Sequence, residues 1–202
     1  MYYRLKNDKF CGFYENNNED GTFIEISQTD WNDVLNKQSL GEVIFYNKKT
    51  KKLETVNLKN YEILENGEIV KDTEKLREII FTQISNYKDR SIENGMKVNI
   101  NGQDLVLLTR QKDQTNIQGL VIAQIQKVPF KFKNEALEDV LVEITLLQVK
   151  TIFGKGIQFV SENINAETVL REKIKNMNLQ NLETFEVEKE YEAVLHRETI
   201  KL

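Results

Sequence analysis

The stretch VNINGQDLVLLTRQKDQTNI, which runs from Val98 to Ile117, decides the fold of the middle of the chain. Apolar residues recur on both sides of Asn101 and Gly102, and these two residue types accept the positive φ that a type I′ turn requires. The pattern therefore predicts two strands joined by a tight turn. The residues expected to pack this hairpin against helices are Val98, Ile100, Leu105 and Leu107.

A polar segment comes directly after the hairpin. A helix is expected to begin near Thr109, which caps it, and to run to about Lys127 before Pro129 stops it. Two explanations account for the polar first turn of this helix: it lies at the surface, or it contacts a partner subunit. Under the second explanation, the candidate partner-binding residues are Arg110, Lys112 and Gln114.

An amphipathic segment precedes the hairpin. Asp72 or Thr73 is expected to cap a helix that ends at Gly95. The apolar stripe of this helix fits a core-facing surface, and it also fits a short seam against another helix. Core packing is favoured because two heptads are fewer than a coiled coil needs. Under the seam hypothesis, the candidate partner-binding residues are Leu76, Ile80, Gln83 and Tyr87.

The pattern along the whole chain predicts an α+β fold with three regions. Residues 1–70 form a small module rich in β-hairpins, the last of which has Asn66 and Gly67 at its tip. Residues 71–177 form a helix–hairpin–helix region followed by a strand and a long helix, which Thr145 is expected to cap. Residues 178–202 form a helical tail.

Composition excludes several classes of protein. The net charge of the 202-residue chain is −4 with the two signs interleaved, whereas an electrostatic nucleic-acid binder has a clustered basic face. The apolar runs are too short to span a bilayer, and the first ten residues lack the features of a secretory signal. Because Cys11 is the single cysteine, no internal disulfide forms, and the reducing cytoplasm is the expected place of synthesis.

The motifs with potential chemistry do not assemble into a site. One histidine, His196, and one cysteine cannot build the usual zinc site, and no G-x-S-x-G elbow is present. NNNEDG, residues 16–21, lacks the spacing of a calcium loop. FGKGIQ, residues 153–158, departs from a phosphate loop because Gly156 follows Lys155. We therefore predict no cofactor, metal or catalytic residue, and a structural or interaction protein rather than an enzyme.

An ordered set of landmarks resembles a family of phage and prophage tail-fibre-associated proteins. From residue 61 to about 177, the landmarks are YEILENGEIVKD, EKLREIIFTQISNYKDR, the hairpin of the opening stretch, and VLVEITLLQVKTIFGKGIQFVSENINAETVLREKI. In the first 60 residues, FIEISQTDWNDVLNKQSLGEVIFYN is similar to the head of tail-fibre assembly proteins.

The resemblance implies a protein of a phage tail module. Such a protein is a tail-fibre or baseplate component, or a chaperone for fibre assembly. Its expected partners are other phage tail proteins, with self-association as a further expectation, and neither nucleic acid nor membrane is expected. It is expected in the host bacterial cytoplasm during assembly, with the virion tail as a second location. The alternative is a glycan-active tail enzyme that uses an Asp/Glu pair.

Overall fold

The fold is described from a computed structural model. The residues that it describes are 1–17, 21–65 and 68–195, with the backbone of 200 and 201. The chain divides into two compact units, Met1–Leu76 and Arg77–Leu202. Helices and mainly antiparallel strands occur in both units, which confirms the predicted α+β fold. Within the described ranges, no helix is both long and apolar enough to cross a membrane.

The first unit starts with a three-stranded antiparallel sheet in which β1 lies between the other two strands. Its strands are β1 (Tyr2–Lys6), β2 (Lys9–Tyr14) and β3 (Thr22–Glu25). The turn between β1 and β2 has positive φ at both Asn7 and Asp8. These are residue types that tolerate the left-handed conformation. Tyr3, Leu5 and Ile26 are buried at the centre of this unit.

One helix and two hairpins complete the first unit. They are α1 (Gln28–Ser39), β4 (Val43–Asn47), β5 (Lys52–Val56), β6 (Glu62–Glu65) and β7 (Glu68–Lys71). β4 pairs with β5 and β6 pairs with β7, in each case antiparallel. The predicted hairpin tip at Asn66 and Gly67 lies outside the described residues, as do His196 and part of the turn cluster 16–21.

The second unit contains most of the helical residues. Its helices are α2 (Thr73–Asn94), α3 (Gln111–Ala123), α4 (Leu146–Lys175), α5 (Leu179–Glu183) and α6 (Val187–Leu195), and the first turn of α2 falls in the first unit. The predicted cap of the long helix is confirmed, because the Thr145 Oγ1 accepts a hydrogen bond from the Gln148 N–H at 3.3 Å. α4 continues without interruption through Gly154 and Gly156.

A five-stranded sheet forms the other layer of the second unit, in the order β11-β10-β9-β8-β12. Its strands are β8 (Met96–Ile100), β9 (Gln103–Leu107), β10 (Lys127–Lys133), β11 (Asp139–Thr145) and β12 (Ile200–Lys201). The turn between β8 and β9 has φ of 53° at Asn101 and 84° at Gly102, which confirms the predicted tight turn. β12 is parallel to β8, and the other neighbours are antiparallel.

The core lies on one face of this sheet. All four hairpin residues that were expected to pack inward are buried, and they share a cluster with Ile117 of α3 and Ile152 of α4. Alternate residues of β10 and β11, such as Phe132 and Ile144, face the same cluster. Their neighbours along each strand face the opposite side, because side chains of a strand alternate between its two faces.

The helix after the hairpin differs from the prediction at both ends. It begins at Gln111, and its N-cap is Arg110 rather than Thr109, whose buried Oγ1 donates a hydrogen bond to the Ile92 carbonyl at 2.7 Å. It ends at Ala123, because Gln124 takes a left-handed conformation. The predicted helix stop, Pro129, lies inside β10.

A polar cluster joins α2 to α4 in the second unit. The Glu167 carboxylate accepts a hydrogen bond from Ser85 at 2.5 Å and pairs with Lys88 and Arg171 at 2.9 Å each. Burial raises the pKa of the Glu167 carboxyl, but the hydrogen bonds from these three residues outweigh it, so the pKa lies below its ordinary value. Glu167 is therefore held as a carboxylate between the two helices.

Candidate partner-binding site

The four candidate residues on α2 lie in different environments. Leu76 and Ile80 are buried in the folded chain, so they have little surface to offer a partner. Gln83 is exposed and Tyr87 is half-buried. The Tyr87 hydroxyl donates a hydrogen bond to the Glu192 carboxylate at 2.6 Å. The apolar stripe of α2 therefore faces the core at its N-terminal end. Core packing was the favoured prediction, because the stripe spans only two heptads.

Gln83 and Tyr87 line a shallow groove between α2 and α6. Its volume is about 660 Å³, and it is lined by Gln83, Asn86, Tyr87, Asp89, Arg90, Glu93, Val187 and Glu188. The Arg90 guanidinium lies 5.6 Å from the centre of the Tyr87 ring, which is within reach of a cation–π interaction. Most of the residues that line the groove are polar or charged, and its opening is wide.

The three candidates after the hairpin have separate roles in the structure. The Arg110 guanidinium pairs with the Asp113 carboxylate at 2.7 Å, and this hydrogen bond and charge raise the pKa of Arg110. The Gln114 side-chain amide donates a hydrogen bond to the Thr109 carbonyl at 2.7 Å, and it stabilises the loop between β9 and α3. Lys112 is exposed, and it has no ion pair within the described part of the chain.

Arg110 and Lys112 line a second, more enclosed cleft, which we call the arm cleft. Its volume is about 420 Å³, within the range of binding pockets in general. It is lined by Leu107, Leu108, Arg110, Lys112, Asp113, Asn116, Phe130, Lys131, Phe132, Lys133 and Asp139. Gln114 is not among these residues, so the structure brings together two of the three predicted loop residues.

The arm cleft lies where β9 ends beside β10. β10 pairs with β11 along its whole length, from Lys127 to Lys133. In contrast, the pairing of β9 with β10 consists of Val106 with Lys133. β9 ends at Leu107, so the rest of β10 has no β9 partner on this side. We call the β10–β11 hairpin the arm, and the space beside it is bordered by the first turns of α3.

The register defines which backbone groups face the cleft side of β10. At the end of the arm the Asn134 N–H donates to the Glu138 carbonyl at 3.0 Å, so these two residues form a hydrogen-bonded pair. Hydrogen-bonded and non-bonded pairs alternate along antiparallel strands. The N–H and C=O of Lys131 and the C=O of Pro129 therefore point away from β11. Within the described chain, no β9 residue pairs with Lys131 or with Pro129.

Charge in the arm cleft is balanced in part. The Asp139 carboxylate pairs with Lys133 at 2.7 Å and with Lys131 at 3.0 Å, and these hydrogen bonds lower the pKa of Asp139. Asp113 is already paired with Arg110. Four basic and two acidic side chains line the cleft, so it carries a positive charge on a chain whose net charge is negative.

Sequence reasoning missed the contribution of the arm. The signal was present in PFKFK, residues 129–133, where aromatic and basic side chains alternate with the period of a strand. The alternation places Phe130 and Phe132 towards the core and Lys131 and Lys133 on the other face. Among the residues that the structure describes, no group of three or more His, Cys, Asp or Glu side chains is arranged to hold a metal ion.

Comparison with known proteins gives one family. The model of a family described as "Domain of unknown function (DUF4376)" matches residues 75–194. The match covers more than half of the chain, and it includes every residue that lines the arm cleft. No curated protein and no solved structure gives a significant match.

Proposed function

The chain belongs to the DUF4376 family, and we propose that it is a phage-tail accessory protein that acts through protein–protein contacts. It serves as a tail-fibre or baseplate component, or as a chaperone for fibre assembly. The link to phage tails is supported by the order of sequence landmarks between residues 61 and 177. The mode of action is supported by the arm cleft.

The observation that carries the proposal is the unpaired strand edge in the arm cleft. Backbone groups at the edge of a sheet are ready to pair with another chain. A cleft that combines such an edge with a few charged side chains and an apolar wall suits a polypeptide ligand. Lys131 supplies the free backbone groups, and the half-buried Phe130 supplies an apolar wall.

The Asp139 carboxylate of the cleft favours binding over glycan hydrolysis. A glycosidase needs one carboxylic acid whose pKa is raised, so that it can protonate the leaving group. In the arm cleft, Lys133 and Lys131 lower the pKa of Asp139. Asp139 is therefore suited to an ion pair and unsuited to the role of a general acid.

The proposed partners are other phage tail proteins, with self-association as a second mode. In this proposal the protein works in the host bacterial cytoplasm while the tail is assembled. It is also found in the virion tail if it stays bound after assembly. Neither nucleic acid nor membrane is a partner in the proposal.

The test is affinity purification from a bacterial host that is producing phage. Tagged wild-type protein is expected to co-purify with a fibre or baseplate protein, identified by mass spectrometry. Lys112→Glu is expected to reduce this recovery, because it reverses an exposed charge in the arm cleft. Lys150→Glu, which changes an exposed lysine on α4 outside the cleft, is the matched control. Recovery of the wild type without any tail protein contradicts the proposal.

A further inference from the structure

Building on the proposed function, we propose that the arm cleft binds an extended, acidic segment of a partner protein. This segment pairs with the free edge of β10 as an additional strand. Three independent features of the cleft support the proposal: the free backbone groups of β10, the sign of its charge, and the alternation of the side chains beside it.

The backbone of β10 offers a short edge. The N–H and C=O of Lys131 and the C=O of Pro129 point towards the side on which β9 has already ended at Leu107. On the opposite wall, Leu108 follows the last residue of β9. By the same alternation, its backbone groups point away from β8. The proposed segment pairs with the β10 wall, where the N–H and C=O of Lys131 and the C=O of Pro129 are its hydrogen-bonding partners.

The charge of the cleft selects an acidic segment. Both acidic residues of the lining are already paired with basic residues of the same lining. Lys112 has no ion pair in the described chain, and it lies on the first turn of α3. A carboxylate that enters the cleft gains an interaction with Lys112 without displacing an existing ion pair. A basic segment meets four like charges.

Side chains beside the free edge alternate in character. Phe130 faces the core side of the arm, and Lys131 and Lys133 face the other side. A strand that pairs with β10 places its own residues in the same alternation, because cross-strand neighbours share a face. The segment that fits best therefore alternates apolar residues with acidic residues, with the apolar residues on the face of Phe130.

The probes are two fluorescein-labelled peptides of eight residues that alternate valine with glutamate or with lysine. Fluorescence anisotropy with the full-length protein measures their binding. We expect saturable binding of the glutamate peptide that weakens as salt is added, and at least tenfold weaker binding of the lysine peptide. Lys112→Glu is expected to weaken binding of the glutamate peptide at least tenfold, whereas Lys150→Glu changes it less than twofold.

Backbone methylation separates strand pairing from simple charge attraction. Two forms of the glutamate peptide carry N-methyl groups at alternate residues, one at the odd positions and one at the even positions. Since a strand paired on one edge uses alternate N–H groups, one form is expected to lose at least tenfold in affinity and the other less than threefold. Equal affinities of the two forms, or no saturable binding at millimolar concentration, overturn the proposal.

The two proposals fail in different ways. If a tail protein co-purifies with the wild type but the glutamate peptide does not bind, the strand-pairing inference is wrong and the proposed function stands. If the peptide binds as described but no tail protein co-purifies, the cleft is a peptide site in a protein with another function. Circular dichroism of each variant checks that loss of binding does not come from loss of the fold.

Discussion

Two glycines with positive φ provide a matched test of the packing between α2 and the hairpin. Gly95, which follows α2, has φ of 78°, and Gly102, in the hairpin turn, has φ of 84°. A Cβ atom built on Gly95 lies 2.2 Å from the Leu107 carbonyl oxygen, whereas one built on Gly102 has no neighbour within 4 Å. The two positions therefore share the conformational strain and differ in the steric clash.

The expected loss of unfolding free energy in each variant follows from this difference. The left-handed conformation costs an alanine about 1–2 kcal/mol, so Gly102→Ala is expected to destabilise the protein by about that amount. Gly95→Ala introduces the same conformational strain, and the backbone at Leu107 must also move away from the new methyl group. Forced shifts of a packed core cost about 1–3 kcal/mol, so the total for Gly95→Ala is about 2–5 kcal/mol.

Urea unfolding followed by circular dichroism measures both variants against the wild type. The midpoint for Gly95→Ala is expected well below that for Gly102→Ala, with an unchanged slope if unfolding stays two-state. Equal midpoints for the two variants refute the close approach of Gly95 to Leu107. A wild-type midpoint for Gly102→Ala refutes the tight turn at Asn101 and Gly102.

Three further predictions concern α4 and use the same unfolding measurement. Asn163→Leu is expected to cost about 1–3 kcal/mol, because the buried amide bonds to Ser91 and to the Phe159 carbonyl, and a cost as small as that of exposed Asn165→Leu contradicts the prediction. Thr145→Ala is expected to cost about 1 kcal/mol through loss of the helix cap, and the exposed Thr168→Ala is its control. Since the pKa of Glu167 is lowered, its carboxylate contributes stability above the ordinary carboxyl pKa, and this contribution is lost as the pH falls through the folded-state value. Glu167→Gln is therefore expected to be more destabilising at about pH 7 than at about pH 3, and an equal loss at both contradicts the sign of the shift.

Local chemistry explains which elements the sequence could predict. The turn at Asn101 and Gly102 requires two positive φ values, and few residue types accept them. The cap at Thr145 needs a hydroxyl next to the first free N–H groups of a helix. Both features depend on residues close together in the chain, so they could be recognised without knowledge of the rest of the fold.

The end of α3 and the arm cleft depend on information that is not local. α3 ends where Gln124 takes φ of 52°, and glutamine gives no particular signal for that conformation. Pro129 indicates a break, but the same residue is also tolerated in a strand where its missing N–H faces no partner. The single pair between β9 and β10 joins residues 106 and 133, which are far apart in sequence. The cleft therefore could not be predicted from either segment alone.

Pro129 also bears on how well the open edge of β10 can pair with another strand. It occupies a position in β10 whose backbone points to the open edge, and proline has no N–H to donate there. An exposed edge that offers a full set of donors is a template for aggregation. With Pro129 in place, a second β10 strand finds an interrupted row of donors, and a Pro129→Val variant restores the row. The single proline of the chain thus shortens the row of donors that this edge offers to another strand.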